Sequence, residues 1–192
     1  MLKRIIHLAL VGIIGFLFLV PTYPIHAQDP VPFPFFVNSP LDLPDFVHNS
    51  VCSAGAVTGG PCTLRAAIDE ANKCPDDAGA CEAGAIIHIP AGVYTLSLPG
   101  IDENQNATGD LDINSNEGIQ IIIEGDPLNS PIIDANGIDR VLHILFNSLN
   151  SNVTLRNLVI QGGHLEINTL AGQTYQVGGG IANSGNLTLE NV

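Results

Sequence analysis

The sequence predicts an all-β chain, a solenoid of short stacked strands with one short N-terminal capping α-helix, and three observations carry that reading. From Ala85 onward the chain breaks into runs a few residues long, "AIIHIP", "VYTLSL", "GDLDIN", "IQIIIEG", "PIID", "RVLHIL", "NVTLRNLVIQGG", "GGGIANSG" and "NLTLENV", separated by Gly, Asn, Asp and Pro. Two of these repeat one another: "NVTLRNL" at 152–158 and "NLTLENV" at 186–192 share Asn, Thr, Leu and Asn, while "IIIEG" at 121–125 matches "LVIQGG" at 158–163 more loosely. The third observation is the single helical stretch, "PCTLRAAIDEANKC", near the start.

Stacking explains the residue types. Rungs about 4.8 Å apart align inward Val, Ile and Leu into columns, and Val153, Leu155 and Leu158 are placed opposite Leu187, Leu189 and Val192. A stack has an open end with unpaired edge groups, which needs a cover. The helix at 63–73 is the candidate. Thr63 is a good N-cap, Leu64, Ala67, Ile68 and Ala71 form an apolar stripe, and Arg65, Asp69, Glu70 and Lys73 lie off it, where i,i+4 pairs would support a solvated face.

The first 27 residues read as a signal peptide: Lys3 and Arg4, an apolar run from Ile5 to Val20, then Pro21, Pro24 and a cleavage site after Ala27. The run is shorter than the roughly 20 residues of a membrane span, so no integral membrane segment is expected once the leader is removed. Residues 28–36, "QDPVPFPFF", are expected to be a Pro-rich linker, 37–84 an N-terminal cap and 85–192 the rungs, with "FVNSPLDLPDFVHNS" at 36–50 a possible edge strand with turns. The chain stops inside a repeat, which reads as truncation of a longer stack.

The formal net charge is −13, and the leader holds two of the six basic residues and none of the acidic ones. Such a surface argues against nucleic acid, anionic lipid and polyanionic substrates. Cys52, Cys62, Cys74 and Cys81 cluster in an exported chain and read as two disulfides, with pairing of neighbours the simplest of three connectivities; a zinc knuckle is disfavoured by the spacing. Asn106-Ala-Thr, Asn152-Val-Thr and Asn186-Leu-Thr fit the glycosylation sequon.

The motifs "CTLRAAIDEAN", "IIHIPAGVYTLSLPG", "TGDLDI", "IIDANGIDRVLHI" and "GGGIANSGNLTLENV", in that order, resemble the bacterial CSLREA-domain proteins from about Val37 to Val192, with Cys62 to Ala67 standing at the name motif. The resemblance implies an exported, right-handed parallel β-helix of the pectin-lyase-like class. It implies no settled activity.

Candidate chemistry is sparse. Asp110, Asp112 and Asn114 alternate along one strand face and offer oxygens for Ca²⁺, although the EF-hand pattern fails at Ser115 and Ile121; the simpler reading is Leu111 and Ile113 inward with solvated carboxylates outward. Asp134, Asp139, Arg140 and His143 lie close in sequence. In a polysaccharide lyase Arg140 would be the base and Asp134 or Asp139 a calcium ligand, against which stands a turn plus a structural ion pair. His164 in "QGGH" and Tyr175 in the interrupting loop 164–177 are the candidate ligand contacts, and Asn157, Asn183 and Asn191 read as turn or ladder asparagines rather than ligands. No cofactor beyond possible Ca²⁺ is expected. The expected role is a non-catalytic secreted or cell-surface module contacting an extracellular glycan or surface component. A glycan-cleaving enzyme and a structural spacer are the alternatives, and Asp110, Asp112, Asp134 and Arg140 meeting in one groove would favour the enzyme.

Overall fold

A computed structural model describes residues 31–55, 59–74, 81, 83–101, 103–115, 119–145, 152–164, 168–170, 173–175 and 179–192, with backbone alone at 168–170 and 173–175. Residues 1–27, expected to be a leader, lie outside these residues. The order is β1 (Phe33–Phe36), α1 (Leu64–Lys73), β2 (Ala85–Ile89), β3 (Val93–Thr95), β4 (Leu111–Ile113), β5 (Gln120–Gly125), β6 (Ile132–Asp134), β7 (Leu142–Ile144), β8 (Asn152–Arg156), β9 (Val159–Gln161), β10 (Asn168–Leu170), β11 (Gln173–Tyr175), β12 (Ile181–Asn183) and β13 (Asn186–Glu190).

The chain is mostly β, and its strands fill three parallel sheets in rotation. One sheet has the order β1-β2-β5-β8-β13, a second β3-β6-β9 and a third β12-β7-β4. Each expected run from Ala85 onward contains a strand. The strong repeat is also the pairing register, since Asn152, Val153, Thr154 and Leu155 stand opposite Asn186, Leu187, Thr188 and Leu189. The looser repeat is not: Ile121 to Glu124 pair with Val153 to Arg156, one strand earlier than the match to 158–163 implied. Alternate residues turn into a shared core, in columns such as Ala85, Ile121, Val153 and Ile87, Ile123, Leu155. The interrupting loop carries the antiparallel pair β10–β11, so strand backbone there does not join the three sheets.

Two expectations about the N-terminal part are corrected. The Pro-rich segment is not wholly a linker: Phe33 to Phe36 pair with Ala85 to His88, and Phe35 is buried. Pro34 is tolerated because β1 is an edge strand, where a missing N–H can face away from the ladder. Of the edge strand expected within 36–50 only Phe36 lies in a strand, as the last residue of β1; residues 37–50 supply none beyond the bridge between Asp45 and Gly55 and run irregularly beside α1.

The helix forms as its sequence requires. The Thr63 hydroxyl accepts from the Ala66 N–H at 3.1 Å, and Lys73 sits in the last turn. Leu64, Ala67, Ile68 and Ala71 enter the core, with α1 packed on β2 and β4. The disulfides Cys52–Cys62 and Cys74–Cys81 bracket it, Cys62 just before the N-cap and Cys74 as the C-cap. Neighbours pair, as the spacing indicated.

The far face of the helix is the third correction. Arg65, Asp69 and Glu70 are buried rather than solvated. Arg65 Nε meets Asp42 Oδ1 at 2.6 Å, and its other nitrogens donate to the carbonyls of Asn106, Gly109 and Asp110. Asp69 accepts from the Asp45 N–H and from Asn106 Nδ2. These loops close over the charged face, and every charge there acquires partners in place of water.

Candidate functional site

Three places hold chemistry, and the first is the covered edge of β4. This strand ends its sheet, so its outer backbone groups need partners. Two asparagines supply them: Asn72 accepts from the Asn114 N–H and donates to the Asp112 carbonyl, while Asn106 Oδ1 accepts from the Asp112 N–H. Asn106 also donates to the Arg65 carbonyl. Its side chain is fully buried, so its place in a sequon is incidental and its work is structural. A cleft of about 340 Å³ opens beside this edge, lined by Asp45, His48, Asp69, Asn72, Lys73 and Asn114 among others. Burial raises the Asp69 carboxyl to about 7, against the hydrogen bonds from Asn106 and Asp45.

The second place lies on the outer side of β4 and β7, where Asp112 pairs in register with His143. The carboxylates of "DLDIN" are not solvated: Asp110 and Asp112 are fully buried. Asp110 Oδ2 accepts from Arg140 Nε at 2.7 Å, and Asp112 Oδ2 accepts from the Asn106 N–H at 3.0 Å. Each carboxylate is thereby held by one oxygen, and its Oδ1 has no hydrogen-bond donor. His143 Nδ1 sits 3.4 Å from Asp112 Oδ1, and one ligand atom each of Asp110, Asp112 and His143 lie within 4.8 Å of one another. Burial raises the Asp110 carboxyl to about 6, and burial likewise raises Asp112.

The sequence candidates divide accordingly. Asp110, Asp112, Asp139, Arg140 and His143 converge, with Arg140 Nη2 3.9 Å from Asp139 Oδ2. Asn114 leaves the set, its Nδ2 donating to the Asn104 carbonyl, and His143 takes the place foreseen for it. Asp134 stands on the β3-β6-β9 sheet, held by the Asn136 N–H and Gln161 Nε2, which lower its pKa. The four residues of the lyase reading therefore do not share one groove. Arg140 is poorly suited as a base: burial opposes its charge, but the hydrogen bond to Asp110 and the charges of Asp110, Asp139 and Asp112 more than compensate and raise its pKa. His164 is exposed and donates its N–H to the Asp139 carbonyl, and the Tyr175 side chain lies outside the described residues. Asn157 and Asn191 are ladder asparagines in the left-handed region, joined at 3.2 Å.

The third place was missed in the sequence. The outer face of the five-stranded sheet carries the column Phe36, His88, Glu124, Arg156 and Glu190, one residue per strand. Phe36 is 64 % exposed and stacks on His88 with ring centroids 4.9 Å apart and planes 14° from parallel. Arg156 donates to Glu124 at 2.9 Å, and His88 lies 3.6 Å from the same carboxylate. A groove of about 390 Å³ runs beside it, lined by Phe36, Val37, His88, Pro90, Glu124 and Asp126 among others. The signal was present in the period-two alternation of "FPFF" and "IIHI", but reading 28–36 as a linker and starting the possible edge strand at Phe36 left the pairing of Phe33–Phe36 with Ala85–His88 unseen.

Among the described residues no helix is long and apolar enough to cross a membrane. No protein-family model, curated protein or solved structure matches the chain.

Proposed function

We propose that the chain is a non-catalytic glycan-binding module of an exported bacterial protein, built as a right-handed parallel β-helix of the CSLREA type. Strands that fill three parallel sheets in rotation support the architecture. The two disulfides support an oxidising compartment, where such bridges persist, and thus secretion or cell-surface display after the leader is cut.

The observation that carries the function is the stacked pair of Phe36 and His88 beside Glu124 and Arg156. A sugar presents an apolar face of C–H groups and a rim of hydroxyls. An exposed aromatic platform takes the face, and carboxylate and guanidinium groups take the rim, the usual division between apolar walls and a few orienting polar groups. The acidic net charge selects neutral over polyanionic glycans. Glu124 and Arg156 are tied to one another at 2.9 Å, which suits orienting a ligand better than acting as a free acid and base on either side of a scissile bond.

Binding of the folded chain to an array of neutral and acidic glycans tests this. Retention of a neutral glycan, lost in Phe36→Ala and kept in Val159→Ala, is expected. Silence across the array from a chain shown to be folded leaves the spacer role, and release of reducing ends or new double bonds replaces the module with an enzyme.

A further inference from the structure

We propose that Asp110, Asp112 and His143 form a binding site for a divalent transition-metal ion, with Zn²⁺ or Mn²⁺ preferred over Ca²⁺, an assignment independent of the glycan reading.

The first argument is charge. Asp110, Asp112 and Asp139 gather around one cation, Arg140, and Asp110 and Asp112 are sealed from water. Arg140 pairs with Asp110 at 2.7 Å and lies 3.9 Å from Asp139, so the buried Asp112 carboxylate has His143 rather than this guanidinium beside it. Burying an unpaired charge is among the least favourable arrangements in a protein. A divalent ion supplies the missing charge.

The second argument is the direction of unused atoms. Oδ1 of Asp110 is buried and accepts no hydrogen bond, while Oδ1 of Asp112 and Nδ1 of His143, also buried, face one another at 3.4 Å, close enough for His143 to lower the Asp112 pKa but without the alignment of a good hydrogen bond. They are not left over from a careless packing, because the opposite oxygen of each carboxylate is fixed by Arg140 or by the Asn106 N–H. Outer contacts of this kind orient ligands in metal sites, one oxygen being tied so that the other points inward. Two donor atoms each about 2.1 Å from a tetrahedral ion stand about 3.4 Å apart. The separation of Asp112 Oδ1 and His143 Nδ1 is 3.4 Å.

The donor set chooses the ion. Calcium takes six to eight oxygens, whereas one imidazole with two carboxylates suits Zn²⁺ or Mn²⁺. The His143 side chain is 19 % exposed, which leaves a path for the ion and a face for a water ligand. The nitrogen ligand comes from a neighbouring rung, so the ion ties β4 to β7 on the side opposite the core.

The test is a titration of the purified, chelator-treated chain with Zn²⁺, Mn²⁺ and Ca²⁺ by calorimetry, with Co²⁺ absorption as a readout of coordination. One equivalent of Zn²⁺ or Mn²⁺ per chain is expected, with a raised melting temperature and the intense visible bands of a low-symmetry Co²⁺ site. His143→Ala, at a partly exposed position, should fold and weaken binding at least about tenfold. His48→Ala and His88→Ala should leave it unchanged. Asp112→Asn gives a second variant that retains the Asn106 contact. No saturable binding, equal binding by His143→Ala, or a preference for Ca²⁺ would overturn the assignment and leave a proton-bridged Asp112–His143 pair. Glycan retention on the array is read separately and does not depend on these outcomes.

Discussion

The guanidinium of Arg65 and the carboxylate of Asp42 meet at 2.6 Å with both side chains closed to solvent, and this pair joins the helix to three separate loops. Asp42 also accepts from the N–H groups of Ser97 and Leu98, and Arg65 donates to Asn106, Gly109 and Asp110. Removing one partner strands the other as a buried charge. Arg65→Ala is expected to lower stability by about 3–5 kcal/mol, read as a shift in the denaturant midpoint. Arg65→Lys should recover little, because an ammonium cannot reproduce the planar fork that spans a carboxylate and three carbonyls. Recovery to near the parent stability would show that charge alone suffices.

Asp69 gives the region around α1 a pH dependence with a definite sign. Its carboxyl rises from 3.8 in an ordinary setting to about 7 in the folded chain. The folded state thus holds this proton more tightly than the unfolded state does. The associated stability is complete below about pH 4, declines as the pH rises, and is gone above about pH 7. The change amounts to a few kcal/mol, since each tenfold gain in proton affinity corresponds to about 1.4 kcal/mol. Asp110, raised to about 6, acts in the same direction. Unfolding free energies measured from pH 4 to 8 should fall across this interval, and Asp69→Asn should flatten the part of the slope nearest pH 7. A slope of opposite sign would contradict the burial argument.

Much of the β architecture was legible because a strand with one buried face writes its pairing into alternate residues. Val153 and Leu155 could be set against Leu187 and Leu189 without coordinates, and Cys52 with Cys62 followed from nearness. The charged face of α1 was not legible. Placing Arg65, Asp69 and Glu70 in water assumes that nothing lies on that side, whereas loops distant in sequence, around 42–49 and 106–110, cover it. The cluster at Asp110 was half legible. "DLDI" at 110–113 and "VLHI" at 141–144 share Leu-x-Ile, and aligning them puts Asp112 beside His143. Reading the carboxylates along their own strand instead pointed to Asn114.

The disulfides bear on the helix ends. Loops closed over sequence separations of 10 and 7 residues differ little in chain entropy, and each bridge contributes about 2–3 kcal/mol in that account. Loop length does not separate the two bridges, but location does. Loss of Cys52–Cys62 should release the N-cap, where the Thr63 hydroxyl donates to the Leu43 carbonyl, and loss of Cys74–Cys81 should fray the last turn. Paired Cys→Ser variants followed by hydrogen exchange are expected to lose protection at opposite ends of α1. Equal loss along the whole helix would mean that α1 and its covering loops unfold as one unit.

The corner after the five-stranded sheet ranks three substitutions. Gly125, Asn157 and Asn191 follow the paired residues Glu124, Arg156 and Glu190 in successive strands. Asn157 has φ 56°, a left-handed conformation that asparagine tolerates and alanine resists, so Asn157→Ala should lose about 1 kcal/mol. Asn157→Gly, which accepts that conformation freely, should lose less, forfeiting mainly the bond from Asn191. Gly125 is limited by space: a Cβ there would lie 2.1 Å from the Asn157 carbonyl oxygen and 2.4 Å from Pro131. Neither neighbour is a flexible side-chain end, so Gly125→Ala must displace backbone and should lose about 1–3 kcal/mol. Chemical denaturation of the three variants is expected to give the order Gly125→Ala, Asn157→Ala, Asn157→Gly, from most to least destabilised. If Gly125→Ala were neutral, the close approach of these two strands would not be a constraint on the five-stranded sheet.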